Sequence, residues 1–142
     1  MIPGFHVRPG TPADHNFVLH WWIRSYQGPA LRGYSEALPK WPWPKADVEL
    51  WRADMEALAK ALLARGTLTV VGLPDIPDSV CSWAVTTGPT LHYVCTKPRW
   101  QRLGLARWLV RELRPTEYTT RTWAGLQLAR GLTYRPLGGC TP

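Results

Sequence analysis

The sequence predicts an α/β fold, a single domain with a mixed, mostly antiparallel central sheet flanked by helices on both faces. Three observations lead there. Strand-like runs and amphipathic helical stretches share the chain, three strand-like runs follow one another between residues 67 and 96, and the third passes through a tight turn directly into a helix. With 142 residues the chain has the size of one domain with its own hydrophobic core, and residues 1–142 are read as one unit.

The elements are predicted in order. Gly4 to Pro9 reads as a first strand. Thr11-Pro12-Ala13-Asp14 is a helix start, with threonine as N-cap, proline at the first helical position and an acid in the first turn. The helix runs to about Tyr26 and buries the face carrying Phe17, Trp21 and Trp22. Gly28 to Pro44 is irregular, because the prolines of Leu38-Pro-Lys-Trp-Pro-Trp-Pro44 forbid continuous helix or central strand. Lys45 to Arg65 is a long amphipathic helix (Val48, Trp51, Met55, Leu58, Leu62), and Gly66 stands where a left-handed residue would end it. Thr67 to Leu73, Val80 to Thr87 and Thr90 to Thr96 are rich in Val, Thr, Trp and Tyr and separated by turn residues, so they form an antiparallel meander. A helix from near Leu103 to about Arg114 places Leu105, Leu109 and Leu113 on one side, and Pro115 ends it. A strand around Tyr118 to Thr120, a helix from Trp123 to Arg130 and a strand from Leu132 to Pro136 complete the chain.

The net charge of +7 is unevenly placed: up to residue 96 eight basic and eight acidic side chains cancel, and after it nine basic residues face only Glu112 and Glu117. Such a field attracts a polyanion, either a phosphorylated cofactor or a nucleic acid. Arginine dominates this stretch, which suits bidentate phosphate contacts. No aromatic residues interleave with the basic ones in a known nucleic-acid-binding pattern, so charge alone supports the nucleic acid.

Other classes are disfavoured. No apolar run has the roughly 18 residues that a spanning helix needs, and the start of the chain lacks the basic-then-apolar order of a signal peptide. A soluble, cytoplasmic protein without membrane contact is expected. Cys81, Cys95 and Cys140 lack zinc or disulfide spacing, and His6, His15, His20 and His92 are scattered, so no metal site is expected.

The chemistry concentrates at Thr90-Leu-His-Tyr-Val-Cys-Thr-Lys-Pro-Arg-Trp-Gln-Arg-Leu-Gly-Leu-Ala106. Gly104 removes the Cβ that would block a close backbone approach and Ala106 is nearly as small. Amides of the first helical turn can therefore point at an anion, helped by the helix dipole, with Arg102 and Arg107 in reach of neighbouring phosphate oxygens.

Gln101-Arg-Leu-Gly-Leu-Ala106 resembles the Q/R-x-x-G-x-G/A signature of the GNAT (Gcn5-related) N-acetyltransferase superfamily. Pro98 and Trp100 before it, the strand before them and the helix after them match the family's usual context. The resemblance implies acetyl transfer from acetyl-CoA, or another acyl-CoA, to an amine acceptor, a small molecule or a protein. It implies that the backbone of Val94, Cys95 and Thr96 pairs with the pantetheine arm. The segment Gln101, Arg102, Leu103, Gly104, Leu105, Ala106 and Arg107 then cradles the pyrophosphate.

The catalytic end departs from the family pattern. The position of the family's tyrosine acid, counted back from Gly131-Leu132, holds Gln127. Tyr134 either substitutes from the last strand or packs on the sheet. The strand before the turn has no carboxylate, and His92 on it is either the general base, with a side chain that titrates near neutrality, or a half-buried strand residue. Tyr34, Glu36, Trp41 and Trp43 fall where the family's acceptor site is bordered: the aromatic residues either grip the acceptor or a partner protein or cover the core, and Glu36 is a further candidate base or amine-binding carboxylate. A GNAT-like domain that binds coenzyme A or a protein without catalysis is the alternative.

Overall fold

The computed structural model describes residues 2–25, 45–119 and 131–134, without the side chains of residues 25, 45–52 and 55. Along the chain these form β1 (His6–Pro9), α1 (Pro12–Ser25), α2 (Lys45–Arg65), β2 (Thr67–Gly72), β3 (Ser82–Thr87), β4 (Thr90–Thr96), a 3-10 turn (Pro98–Trp100), α3 (Leu105–Leu113), β5 (Glu117–Tyr118) and β6 (Thr133–Tyr134). The expected irregular segment 28–44, with Tyr34, Glu36, Trp41 and Trp43, lies outside the described residues, as do Gln127 and the expected helix 123–130.

The six strands form one mixed sheet in chain order. β2 to β4 pair antiparallel, as the meander predicted, and β1 adds to β2 antiparallel, whereas β4–β5 and β5–β6 pair parallel. Each face carries its own core, so helices flank the sheet on both sides. On one face Val18 and Trp22 of α1 and Ala59 and Leu63 of α2 pack against Val70, Trp83, Val85 and Tyr93. Trp22 stacks on Tyr93 with ring centroids 4.7 Å apart. On the other face Leu105 and Leu109 of α3 pack against Val71, Cys81, Ala84 and Leu91.

Some boundaries and reasons differ from expectation. The α2 seam runs through Ala59 and Leu63, with Leu58 and Leu62 only half-buried. Gly66 is not left-handed. It is required because a Cβ there would lie 2.6 Å from the carbonyl oxygens of Leu62 and Thr86.

The start of α1 is held by more than a proline. Asp14 accepts the Thr11 N–H at 2.7 Å, the reciprocal half of a capping box, and takes two bonds from the Arg8 guanidinium at 2.8 and 3.1 Å. Arg8 also donates to the Ser79 carbonyl at 3.2 Å, so one ion pair ties β1, α1 and the β2–β3 connection together. The Arg8 hydrogen bonds hold the Asp14 carboxyl down at about 2, below the usual carboxylate value of 3.8.

A group held below its unfolded value stabilises the fold above that value and loses this contribution as pH falls through its folded pKa. Thermal melts of the protein are therefore expected to lose stability between about pH 4 and pH 2. Asp14→Asn, which leaves the Arg8 charge unpaired, is expected to cost about 3 kcal/mol at pH 7, and an unchanged melting temperature would refute the tie.

Candidate active site

β4 is the strand on which the candidate site is built. Its first residues pair on both edges: Thr90 and Leu91 lie opposite Glu117 and Tyr118 of β5, and the Thr119 N–H reaches the Leu91 carbonyl at 3.1 Å. Beyond Leu91 the register with β3 slips by one residue, leaving His92 as the extra residue of a β-bulge between the pairs Leu91–Thr86 and Tyr93–Val85. From Tyr93 to Thr96, β4 keeps β3 on one side, and among the described residues no strand pairs with its other edge.

The alternation of an antiparallel ladder decides which backbone groups face that open edge. The Lys97 N–H bonds the Cys81 carbonyl at 2.9 Å, which by parity turns Cys95 and Tyr93 toward β3 and Val94 and Thr96 toward the opening. This corrects the expectation for Cys95, whose peptide groups turn inward. The Thr96 carbonyl is already used, accepting from the Gln101 side-chain amide at 3.2 Å. Gln101 thus fastens the turn to the strand, and the peptide groups of Val94 and the N–H of Thr96 remain at the edge.

The turn itself is strained in a useful way. Arg102 (φ 65°) and Gly104 (φ 82°) are both left-handed. A non-glycine residue there costs on the order of 1–3 kcal/mol and persists only where its surroundings impose it. Flanking Leu103, the two make a concavity of successive backbone N–H groups that suits an anion. No backbone carbonyl among the described residues takes an N–H from Arg102 to Arg107, and the first bond into α3 runs from Trp108 to Gly104 at 2.9 Å. Among the described residues a Cβ on Gly104 would meet nothing closer than Ile2, at 3.9 Å, so the space beside Gly104 is open there. Leu105, fully buried, anchors the helix start in the core, while Leu103 is half-exposed and Arg102 and Arg107 are exposed. Among the described residues neither arginine has a carboxylate partner.

His92 is buried, 5% exposed, at the point where β4 and β5 part. The bulge directs its ring to the same face as Tyr93, the α1–α2 side. Its Nδ1 lies 3.0 Å from the Thr119 hydroxyl and its Nε2 2.9 Å from the Thr87 hydroxyl. Burial lowers its pKa below the ordinary histidine value, so the ring is neutral at pH 7. The two threonines that hold it were not singled out in the sequence. They come together only through the register of β3, β4 and β5.

Tyr134 sits opposite Tyr118 in the β5–β6 pair, with ring centroids 5.2 Å apart, and Tyr118 packs into the core on the α3 face. Tyr134 and His92 therefore lie on opposite faces of the sheet, and the expected acid and base do not meet. Burial pushes the Cys81 and Cys95 thiols up, which keeps both protonated at neutral pH. A separate cavity of about 810 Å3, walled by Arg8, Asp14, Phe17, Ser79, Lys97 and Trp100, includes no residue from Gln101 to Arg107.

No family model and no curated protein matches the chain. Solved structures do. A histone acetyltransferase HPA2-related acetyltransferase from Corynebacterium glutamicum superposes with a TM-score of 0.56 at 16% identity, over 98% of this chain and 89% of that one. A GCN5-related N-acetyltransferase from Rhodopseudomonas palustris gives 0.51 at 17% identity, over 94% and 74%. Apo-form YjaB from Escherichia coli gives 0.52 at 16% identity, over 77% of this chain and 63% of that chain, so the match spans less than two thirds of its length. At such identities the likeness concerns the fold alone, and that fold is the one found in GNAT acetyltransferases.

Gly104→Glu brings a side chain into the open space before the turn, strains a left-handed position and sets a carboxylate where an anion would lie. The variant is expected to fold, and any thermal stabilisation of the parent protein by coenzyme A is expected to be lost in it. Equal stabilisation of both proteins would remove the turn from the site.

Proposed function

We propose that the protein is an acyl-CoA-dependent N-acetyltransferase, moving an acetyl group from acetyl-CoA to an amine of a small molecule or protein. The observation that carries this reading is the continuity of two features of one segment: an open β4 edge at Val94 and Thr96, and an amide-lined turn at the positive end of α3 immediately after it. The edge offers hydrogen-bonding groups to an extended amide-bearing chain, as a neighbouring strand would. The turn offers to a pyrophosphate the dipole of α3, together with N–H groups and two guanidiniums that have no partner among the described residues. A coenzyme A conjugate has both parts in that order. The fit therefore rests on this chain's own donors, and the likeness to GNAT folds supports it.

The bound acyl-CoA would supply the thioester. The protein's part is first to hold the amine and the acyl carbon in line, which by itself accounts for a large share of the rate in such transfers. The amine must also shed a proton. His92 is neutral and stands where the strands part, and it can take that proton once one of its ring nitrogens gives up a threonine hydroxyl. Tyr134, across the sheet, has no part in that step. Tyr34, Glu36, Trp41 and Trp43, in the segment between α1 and α2, are proposed to border the acceptor.

A second reading is favoured by one observation: both nitrogens of His92 are engaged and its ring is buried, which suits a structural residue. On that reading the protein binds coenzyme A or a protein partner without catalysing transfer.

Calorimetric titration with acetyl-CoA and with coenzyme A at two salt concentrations, followed by thiol release in the presence of a panel of amines, separates these readings. Transfer requires saturable binding and amine-dependent thiol release, binding without release selects the second reading, and no binding rejects transfer and leaves only the protein-partner form of the second reading. If transfer is found, His92→Ala is expected to lower turnover about 100-fold with acetyl-CoA affinity unchanged. Because the His92 pKa is lowered from 6.5, the acid limb of the parent rate profile is expected below pH 6.5. Unchanged turnover in the variant would make His92 structural.

A further inference from the structure

The coenzyme reading uses Arg102 and Arg107 and leaves the rest of the basic surface unexplained. Lys97 and Arg99 are engaged with aromatic rings, Lys97 Nζ lying 4.5 Å from the Phe17 centroid and the Arg99 guanidinium 5.3 Å from that of Trp100. Among the described residues neither Arg111 nor Arg114 lies over an aromatic ring. Among the described residues no carboxylate pairs with either, and Glu112, the one acid of α3, accepts the Trp108 indole N–H at 3.3 Å.

At 3.6 residues per turn, Arg107 and Arg111 fall within about 40° of one another on the side of α3 opposite buried Leu105 and Leu109, and Arg114 follows as the left-handed C-cap of the helix. All three are exposed. With 1.5 Å of rise per residue, Arg111 stands about 6 Å and Arg114 about 10 Å along the axis from Arg107. The chain that follows cannot neutralise this row with side chains, because Thr120 to Pro142 contains no aspartate or glutamate.

We propose that this arginine row is a docking surface for the phosphate backbone of a nucleic acid, distinct from acyl transfer. A point anion needs one or two guanidiniums close together. A series of guanidiniums that extends along the helix away from the turn matches an anion that repeats along a line. Guanidiniums pair bidentately with phosphate, and the row contains arginine without lysine. Arg111 and Arg114 carry the part of the surface that the coenzyme turn does not use. The contacts address the backbone, so the binding is expected to be strongly salt-dependent and weakly dependent on sequence.

The test is fluorescence anisotropy of a labelled mixed-sequence DNA duplex titrated with the full chain at several salt concentrations. Binding at low salt is expected, with log K falling linearly against log salt. Each phosphate contact contributes about 0.9 to that slope, so R111Q/R114Q is expected to flatten it by about 2 and to weaken low-salt binding at least about tenfold. R111K/R114K, which keeps both charges, is expected to retain the slope. Circular dichroism checks the fold, and if the double variant does not fold, R111Q alone carries the same test with half the change. Failure of the parent protein to bind the duplex at low salt would overturn the proposal. So would a wild-type slope in R111Q/R114Q. Displacement of the duplex by polyglutamate at equal charge concentration would also overturn it and assign the surface to an acidic protein.

Discussion

Past Leu91, β4 has a neighbour on only one of its two edges among the described residues, and the candidate site follows from that constraint. A strand in the middle of a sheet normally satisfies its peptide groups on both sides, so an open stretch calls for a ligand or solvent to complete it. The bulge at His92 and the parting of β5 occur at the same level of the sheet. The bulge also sets which peptide groups meet the opening, since moving the register by one residue exchanges the inward and outward sets. Val94 and Thr96 face the gap for this reason, and Cys95 does not.

The rest of the fold holds this arrangement still. Trp22 against Tyr93 supports β4 from one face, and Leu105 and Leu109 fix the start of α3 from the other. The Gln101 amide on the Thr96 carbonyl joins strand to turn, and the Ser82 hydroxyl accepts or donates to Thr96 Oγ1 at 2.9 Å one strand away. The left-handed conformations of Arg102 and Gly104 are thus held between two anchors, the end of β4 and the buried Leu105. A turn fixed in this way presents its N–H groups without having to order them when an anion arrives, which lowers the cost of binding.

Much of this was legible in the sequence. The three central strands were marked by β-branched and aromatic runs between turn residues, and α3 by Leu105, Leu109 and Leu113. Gly104 marked the turn, and its left-handed φ of 82° is what favours glycine there. What escaped were properties of pairs of distant segments. A bulge belongs to the register of two strands, and no local pattern around His92 announces it. Thr87, His92 and Thr119 meet only when three strands are aligned, and the opposite facing of His92 and Tyr134 follows from strand parity. Arg102 gave no sign of its left-handed backbone, since arginine has no preference for it. Gly66 was noticed for a conformational reason, whereas the carbonyls of Leu62 and Thr86 exclude a side chain from it.

The open edge and the turn are proposed to form one binding surface for an acyl-CoA. Backbone amide NMR during titration with acetyl-CoA reports both binding and its place. Saturable shifts concentrated at Val94, Thr96 and Leu103 to Arg107 are expected. Saturable shifts confined to other parts of the chain, or no shifts at all, would contradict that surface.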